Sequence, residues 1–101
     1  MLTMDYMFRG CKSLTSLDLS SWYISKVGSM TQMFANCNNL VSLDLSNWVM
    51  SDNMVSVIDM FDKCTSLRTI TMKNCTTETI DKIKSALQDA GILNNVTIIT
   101  A

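Results

Sequence analysis

Histidine and proline are absent from the 101 residues, glycine occurs only at Gly10, Gly28 and Gly91, and charged residues make up just 17%. Without histidine the commonest general base, metal ligand and near-neutral switch is missing. Ser-His and Cys-His nucleophile arrangements are thereby excluded. The lack of proline and the scarcity of glycine leave no low-complexity linker, so the chain is expected to form one domain over 1–101. The net charge is −1, and no basic patch shows along the sequence, which removes the electrostatic case for nucleic acid or an anionic membrane surface. No apolar run approaches the roughly 18 residues of a membrane span, and Met1 to Tyr6 carry neither the basic nor the apolar region of a secretion signal.

What the chain does contain is one sequence word said three times. The fullest copy has Val27, Met30, Met33-Phe34, Cys37, Leu40, Leu43-Asp44-Leu45-Ser46 and Trp48. The copy before it has Met7-Phe8, Cys11, Leu14, Leu17-Asp18-Leu19-Ser20 and Trp22, and the copy after it has Met60-Phe61, Cys64, Leu67, Ile70, Met72 and Cys75. A fixed period in the range of roughly 20 to 50 residues predicts a solenoid, in which each unit buries its apolar face only by stacking on its neighbours. The repeats run approximately over 4–25, 26–51 and 52–75.

Within each copy the apolar spacing changes character. From Val27 to Leu40 it follows one face of a short helix or a chain of helical turns. From Leu43 to Leu45 it follows the two-residue period of a strand with one buried face. Ser46-Asn47 turns the chain, Trp48 re-enters the core, and Ser51, matched by Ser25, is placed to cap the next helical turn. Strands are therefore expected near 17–19, 43–45, 70–72 and 96–99, forming one parallel sheet with helical segments on its convex side.

Cys11, Cys37 and Cys64 share one slot of the repeat, which reads as a buried file of thiols rather than a disulfide framework or metal site. Cys75 falls in the slot of Trp22 and Trp48, which are expected to be corners of the inner wall. The nine methionines read as gap fillers between imperfectly matched copies.

The run Met-Phe-x-x-Cys-x-x-Leu-x-x-Leu-Asp-Leu-Ser-x-Trp-x-x-Ser, at Met7 to Ser25 and again at Met33 to Ser51, resembles the BspA-like leucine-rich repeats of bacterial surface and secreted proteins. The resemblance spans about residues 4 to 75 and departs after the tryptophans, where the family usually has Asp-Thr and this chain has Tyr23-Ile24 and Val49-Met50. It implies an α/β leucine-rich-repeat solenoid, of about four rungs once the tail is counted, and a location at the cell surface or outside the cell. It also implies adhesion to a host or matrix protein.

After Cys75 the pattern becomes a longer amphipathic helix over 77–90, with Ile80, Ile83 and Leu87 on one face and Gly91 as its C-terminal cap. An offset of 26 aligns Phe61 with Leu87, Leu67 with Leu93, Ile70 with Val96 and Met72 with Ile98. The tail 76–101 thus reads as a helix-strand cap rung with a polar outer cover. The opposite end has no polar cover over Leu14, Leu17 and Leu19, so either further repeats or self-association through that end is expected.

The candidate partner-binding residues are the outward strand positions: Ser16, Asp18 and Ser20; Ser42, Asp44 and Ser46; Thr69, Thr71 and Lys73. Asn95, Thr97 and Ile99 continue the series on the fourth strand. Asp18 and Asp44 should lie one strand spacing apart, close enough to raise one of the two pKa values. They read as a solvated pair, with an ion or cationic-ligand site and catalytic use as the alternatives. No catalytic, cofactor or metal residues are assigned. The functional expectation is a non-catalytic protein-binding module, with a structural spacer or terminating segment of a longer array as the alternative.

Overall fold

The computed structural model describes residues 2–50 and 55–101. Its strands are β1 (Leu2–Thr3), β2 (Ser16–Asp18), β3 (Val27–Ser29), β4 (Ser42–Asp44), β5 (Thr69–Thr71) and β6 (Thr97–Ile99), with one α-helix, α1 (Thr77–Asp89), and a 3-10 turn at Leu93–Asn95. The fold is α/β, with a short parallel sheet in the order β2-β4-β5-β6 and a single helix.

The sheet arises where the leucines alternate. Leu17 pairs with Leu43 and Leu43 with Ile70, so equivalent residues of successive copies stand side by side. The inward leucine slot is half-buried in β2, fully buried in β4 and β5, and half-buried again at Ile98 in β6. Burial is therefore complete only where a strand has neighbours on both sides.

The last strand corrects the register expected from the sequence. Ile70 pairs with Ile98 and Thr71 with Ile99, an offset of 28 rather than 26. The insertion is two residues, so the inward and outward faces are preserved.

Short helices or chains of helical turns were expected in the first three copies, and among the described residues no helix stands there. Each copy instead runs as consecutive turns. In the second copy the N–H of Met33 donates to the carbonyl of Met30, Ala35 to Gln32, and Cys37 to Phe34. Gln32 and Asn36 have positive φ, as do Tyr6 and Gly10 before them and Asp59 and Lys63 after them. A positive φ at the third residue is the signature of a type II turn and stops a helix from propagating.

The turns free alternate N–H groups to reach sideways. Tyr6, Phe8 and Gly10 donate to the carbonyls of Thr31, Met33 and Ala35, and Gln32, Phe34 and Asn36 donate to those of Ile58, Met60 and Asp62. In a helix these donors would be spent within their own segment. Here they stitch one copy to the next, and the i, i+3 apolar spacing serves the turns as well as it would a helix.

A second, two-stranded parallel sheet joins β1 to β3, and a bridge from Ser29 to Ser56 extends it. Val27 to Ser29 was expected to open a helical segment and is a strand. Ser25 consequently caps no helix, and Ser51 lies outside the described residues.

Between the two sheets and the turns sits one core. Phe8, Phe34 and Phe61 form a file with ring centroids 5.7 and 5.6 Å apart and planes within 10° of parallel. Offset stacking of this kind adds about 0.5–1.5 kcal/mol per pair beyond area burial. Cys37 and Cys64 are buried and all four cysteines are free thiols. The Sγ–H of Cys37 donates to the carbonyl of Phe8 and that of Cys64 to the carbonyl of Phe34, at 3.1 and 3.0 Å.

Trp48 is fully buried and its indole N–H donates to the carbonyl of Leu19 at 3.0 Å. Cys75 reaches the equivalent carbonyl of Leu45 from the same slot at 3.2 Å. Trp22 differs from the expected corner: it is 37% exposed and rests against Phe8. It lies in the first copy, where nothing among the described residues stacks over it.

The helix α1 closes the other end of the sheet. The Thr76 hydroxyl accepts from the N–H of Thr79 as N-cap. At the far end Gly91 has φ +77°, its N–H donates to Gln88, and the N–H of Ile92 donates to Leu87. That paired pattern is a Schellman cap, which favours glycine because a side chain resists positive φ. The buried face comprises Thr79, Ile83, Ala86 and Leu87, with Ile80 half-buried. The half-buried Lys82 donates through Nζ to the carbonyl of Val55 at 2.8 Å.

Candidate functional site

The outward face of the four-stranded sheet carries the residues expected to bind. Parallel in-register pairing sets Ser16 beside Ser42 and Asp18 beside Asp44, with Thr69 and Thr71 next on β5. Ser16, Asp18, Ser42, Asp44 and Thr71 line one shallow concavity of about 270 Å³, floored in part by Leu17 and Leu43. Thr69 is half-buried and lies outside that lining, as does the exposed Lys73.

Two of the expected residues hold the turn after the strand rather than the open face. Ser46 is 7% exposed, and its hydroxyl accepts from the N–H of Lys73 at 3.1 Å. Its expected outward position is corrected accordingly. Ser20 is half-buried and donates to Asp18 through both its N–H, at 2.9 Å, and its hydroxyl, at 2.6 Å. The N–H of Ser46 repeats the first of these bonds on Asp44 at 2.9 Å.

The bonds from Ser20 decide the electrostatics at Asp18. The hydroxyl and backbone N–H of Ser20 hold the Asp18 carboxyl below the usual carboxylate range. The mutual raising expected from two adjacent carboxylates does not occur at Asp18, because hydrogen bonds to the charged form favour ionisation. The face therefore presents a fixed anionic spot beside small hydroxyls.

Sequence reasoning missed two other constellations. At the edge of the smaller sheet, Asp5 accepts from the hydroxyl of Ser29 at 2.5 Å and from the N–H of Thr31 at 2.7 Å. Thr31 and Ser56 continue the chain of hydroxyls at 3.0 Å. The Ser29 hydroxyl is the chief cause that keeps the Asp5 carboxyl below its ordinary pKa. The signal was available as small polar residues at Thr3, Ser29 and Ser56, spaced by one repeat length.

The second constellation corrects the absence of a basic patch. Arg9 and Lys12 from the first copy and Lys63 from the third face one concavity of about 640 Å³ on the turn side of the molecule. Arg9 and Lys12 lie three residues apart, and only the stacking of the copies brings Lys63 to them.

Among the described residues no three or more potential metal-ligating side chains come together, and no helix is long and apolar enough to cross a membrane. What the fold and its two polar surfaces define is a small α/β repeat protein with side-chain files in register. A family model described as "Mycoplasma protein of unknown function, DUF285" matches residues 1–98, and the chain belongs to that family. No curated protein and no solved structure matches it.

Proposed function

We propose that the chain is a leucine-rich-repeat solenoid of about four rungs, BspA-like in its repeat word, that serves as a non-catalytic protein-binding module of a bacterial surface or secreted protein. The observation that carries this reading is the register placing Asp18 beside Asp44 on a rigid strand face, with Ser16, Ser42 and Thr71 around them. Stacked strands hold these groups at a fixed spacing of about 4.8 Å, so a partner with complementary cations meets a preorganised surface. The docking face is polar and offers few aromatic or arginine anchors, which suits a modest affinity per copy. The surface location and the adhesion role rest on the resemblance of the repeat word.

The test is the pair of substitutions Asp18→Lys and Asp44→Lys, with attachment to a panel of matrix proteins and thermal unfolding measured side by side. Weakened attachment with nearly unchanged unfolding supports the module. Unaltered attachment to every partner that the parent binds overturns it.

A second reading, a spacer or terminating segment of a longer array, is favoured by the difference between the two ends. At one end Trp22 is partly exposed and Phe8, Cys11, Leu14 and Leu17 are only half-buried, whereas α1 covers the other with Glu78, Asp81 and Lys84 outward. An apolar end of this kind fits another repeat or a second copy of the chain. Light scattering across a hundredfold dilution separates the two, because a self-paired end gives a concentration-dependent dimer and a spacer-only end does not.

A further inference from the structure

We propose that the basic concavity on the turn side binds a sulfated saccharide. The concavity exists because of what each copy places in one file. Gly10, Asn36 and Lys63 occupy equivalent turn positions, all with positive φ, and a side chain added at Gly10 would meet nothing within 4 Å. The missing side chain leaves a hollow with Arg9 and Lys12 on one side and Lys63 on the other. Asn38 and Tyr6 complete the wall, and no carboxylate lines it. The file that begins at Arg9 continues through Ala35 to Asp62, so that carboxylate stands two spacings, about 10 Å, from Arg9, although it precedes Lys63 directly in the chain.

Three features fix the chemistry. First, Arg9, Lys12 and Lys63 have no carboxylate partner among the described residues, in a chain whose net charge is −1. A cluster of unneutralised cations in a concavity attracts anions, and a guanidinium grips a tetrahedral or planar oxyanion through two parallel N–H bonds.

Second, the backbone donors are taken. The N–H groups of Tyr6, Gly10 and Asn36 are already spent on Thr31, Ala35 and Asp62, so none of them is left to hold an oxyanion. Recognition must run through side chains, and the amides of Asn36 and Asn38 suit hydroxyl groups, which both donate and accept.

Third, the Tyr6 ring is half exposed, with the Arg9 guanidinium 5.9 Å from its centroid. That arrangement pairs an anion site with an amphipathic ring surface. A ligand with several anionic groups spread along a hydroxyl-rich chain matches all three.

The site is separate from the sheet face, so the two proposals fail independently. The test uses the full chain and three probes at low salt: a heparin-derived hexasaccharide, its desulfated counterpart and hexaglutamate. Titration calorimetry should show the sulfated probe binding at least tenfold more tightly than either of the others. The triple variant Arg9→Ser, Lys12→Ser, Lys63→Ser should weaken it at least tenfold, while Lys84→Ser, which removes one cation elsewhere, should not. All three positions are exposed, so the triple variant should fold, and circular dichroism checks that it does. The proposal is overturned if the parent fails to bind the sulfated probe, or if the triple variant binds it as the parent does. Equal binding of hexaglutamate, which would make this an acidic-peptide site, also overturns it, as does equal binding of the desulfated saccharide.

Discussion

Asp5 shows how a single residue ties copies together. Its carboxylate belongs to the first copy, and the hydroxyl and N–H it accepts from belong to the second. Because those bonds lower its pKa in the folded state, the stability it contributes is complete above the unfolded carboxylate value of about 3.9 and is lost as pH falls through the lower folded value. Asp5→Asn should therefore unfold more easily at pH 7 yet lose less of its urea midpoint between pH 5 and pH 3 than the parent does. Equal loss by the two chains would remove Asp5 from the acid response. The thiols behave in the opposite sense: burial pushes Cys64 up to about 12, so it stays protonated and acts as a donor to the Phe34 carbonyl. Native alkylation should accordingly reach the half-buried Cys11 well before Cys64, as mass spectrometry of partially labelled chain would read.

At the scale of the element, the sequence spoke clearly only where its period had one interpretation. Leu17-x-Leu19 and Leu43-x-Leu45 alternate, and the strands appear within a residue of their expected positions. The helix α1 was equally readable, because Ile80, Ile83 and Leu87 share a face and Gly91 stops it. The turn segments were not readable, since apolar residues three apart suit a helix and a row of turns alike. The residues that decide between the two are at positive φ, and Tyr6, Gln32, Asp59 and Lys63 are not the glycines or asparagines that would announce it. The candidate face was legible as an alternation. Which of its hydroxyls would be consumed by a turn, as Ser46 is, depended on a bond to the next copy. The same holds for Thr79, a polar residue with no exposure on the buried face of α1, whose hydroxyl accepts from the N–H of Met50 at 3.0 Å. Thr79→Val should leave that N–H unpaired and cost about 1–3 kcal/mol, while Thr79→Ser should recover part of it. Equal losses from valine and serine in thermal melts would assign the effect to packing alone.

For the molecule as a whole, successive copies have no separate cores, because Phe34 stacks on both Phe8 and Phe61, Leu43 stands beside both Leu17 and Ile70, and the buried residues form one cluster. Leu43 is 2% exposed, and Leu43→Ala should cost roughly 2–5 kcal/mol. That is a large share of the roughly 5–15 kcal/mol total typical of a domain. Lys84→Ala, on the exposed side of α1, should stay within about 0.5 kcal/mol. Chemical denaturation reads both, and similar losses would contradict the orientation of the helix.

The strand order β2-β4-β5-β6 follows the order of the chain, so the first and last repeats stand at opposite ends of the stack. A pull between those ends runs along the hydrogen bonds that join the copies, so every ladder in the series carries the same load. Because the copies share one core, losing any one ladder bares the apolar face of the copy beside it, and the damage spreads from wherever the first ladder opens.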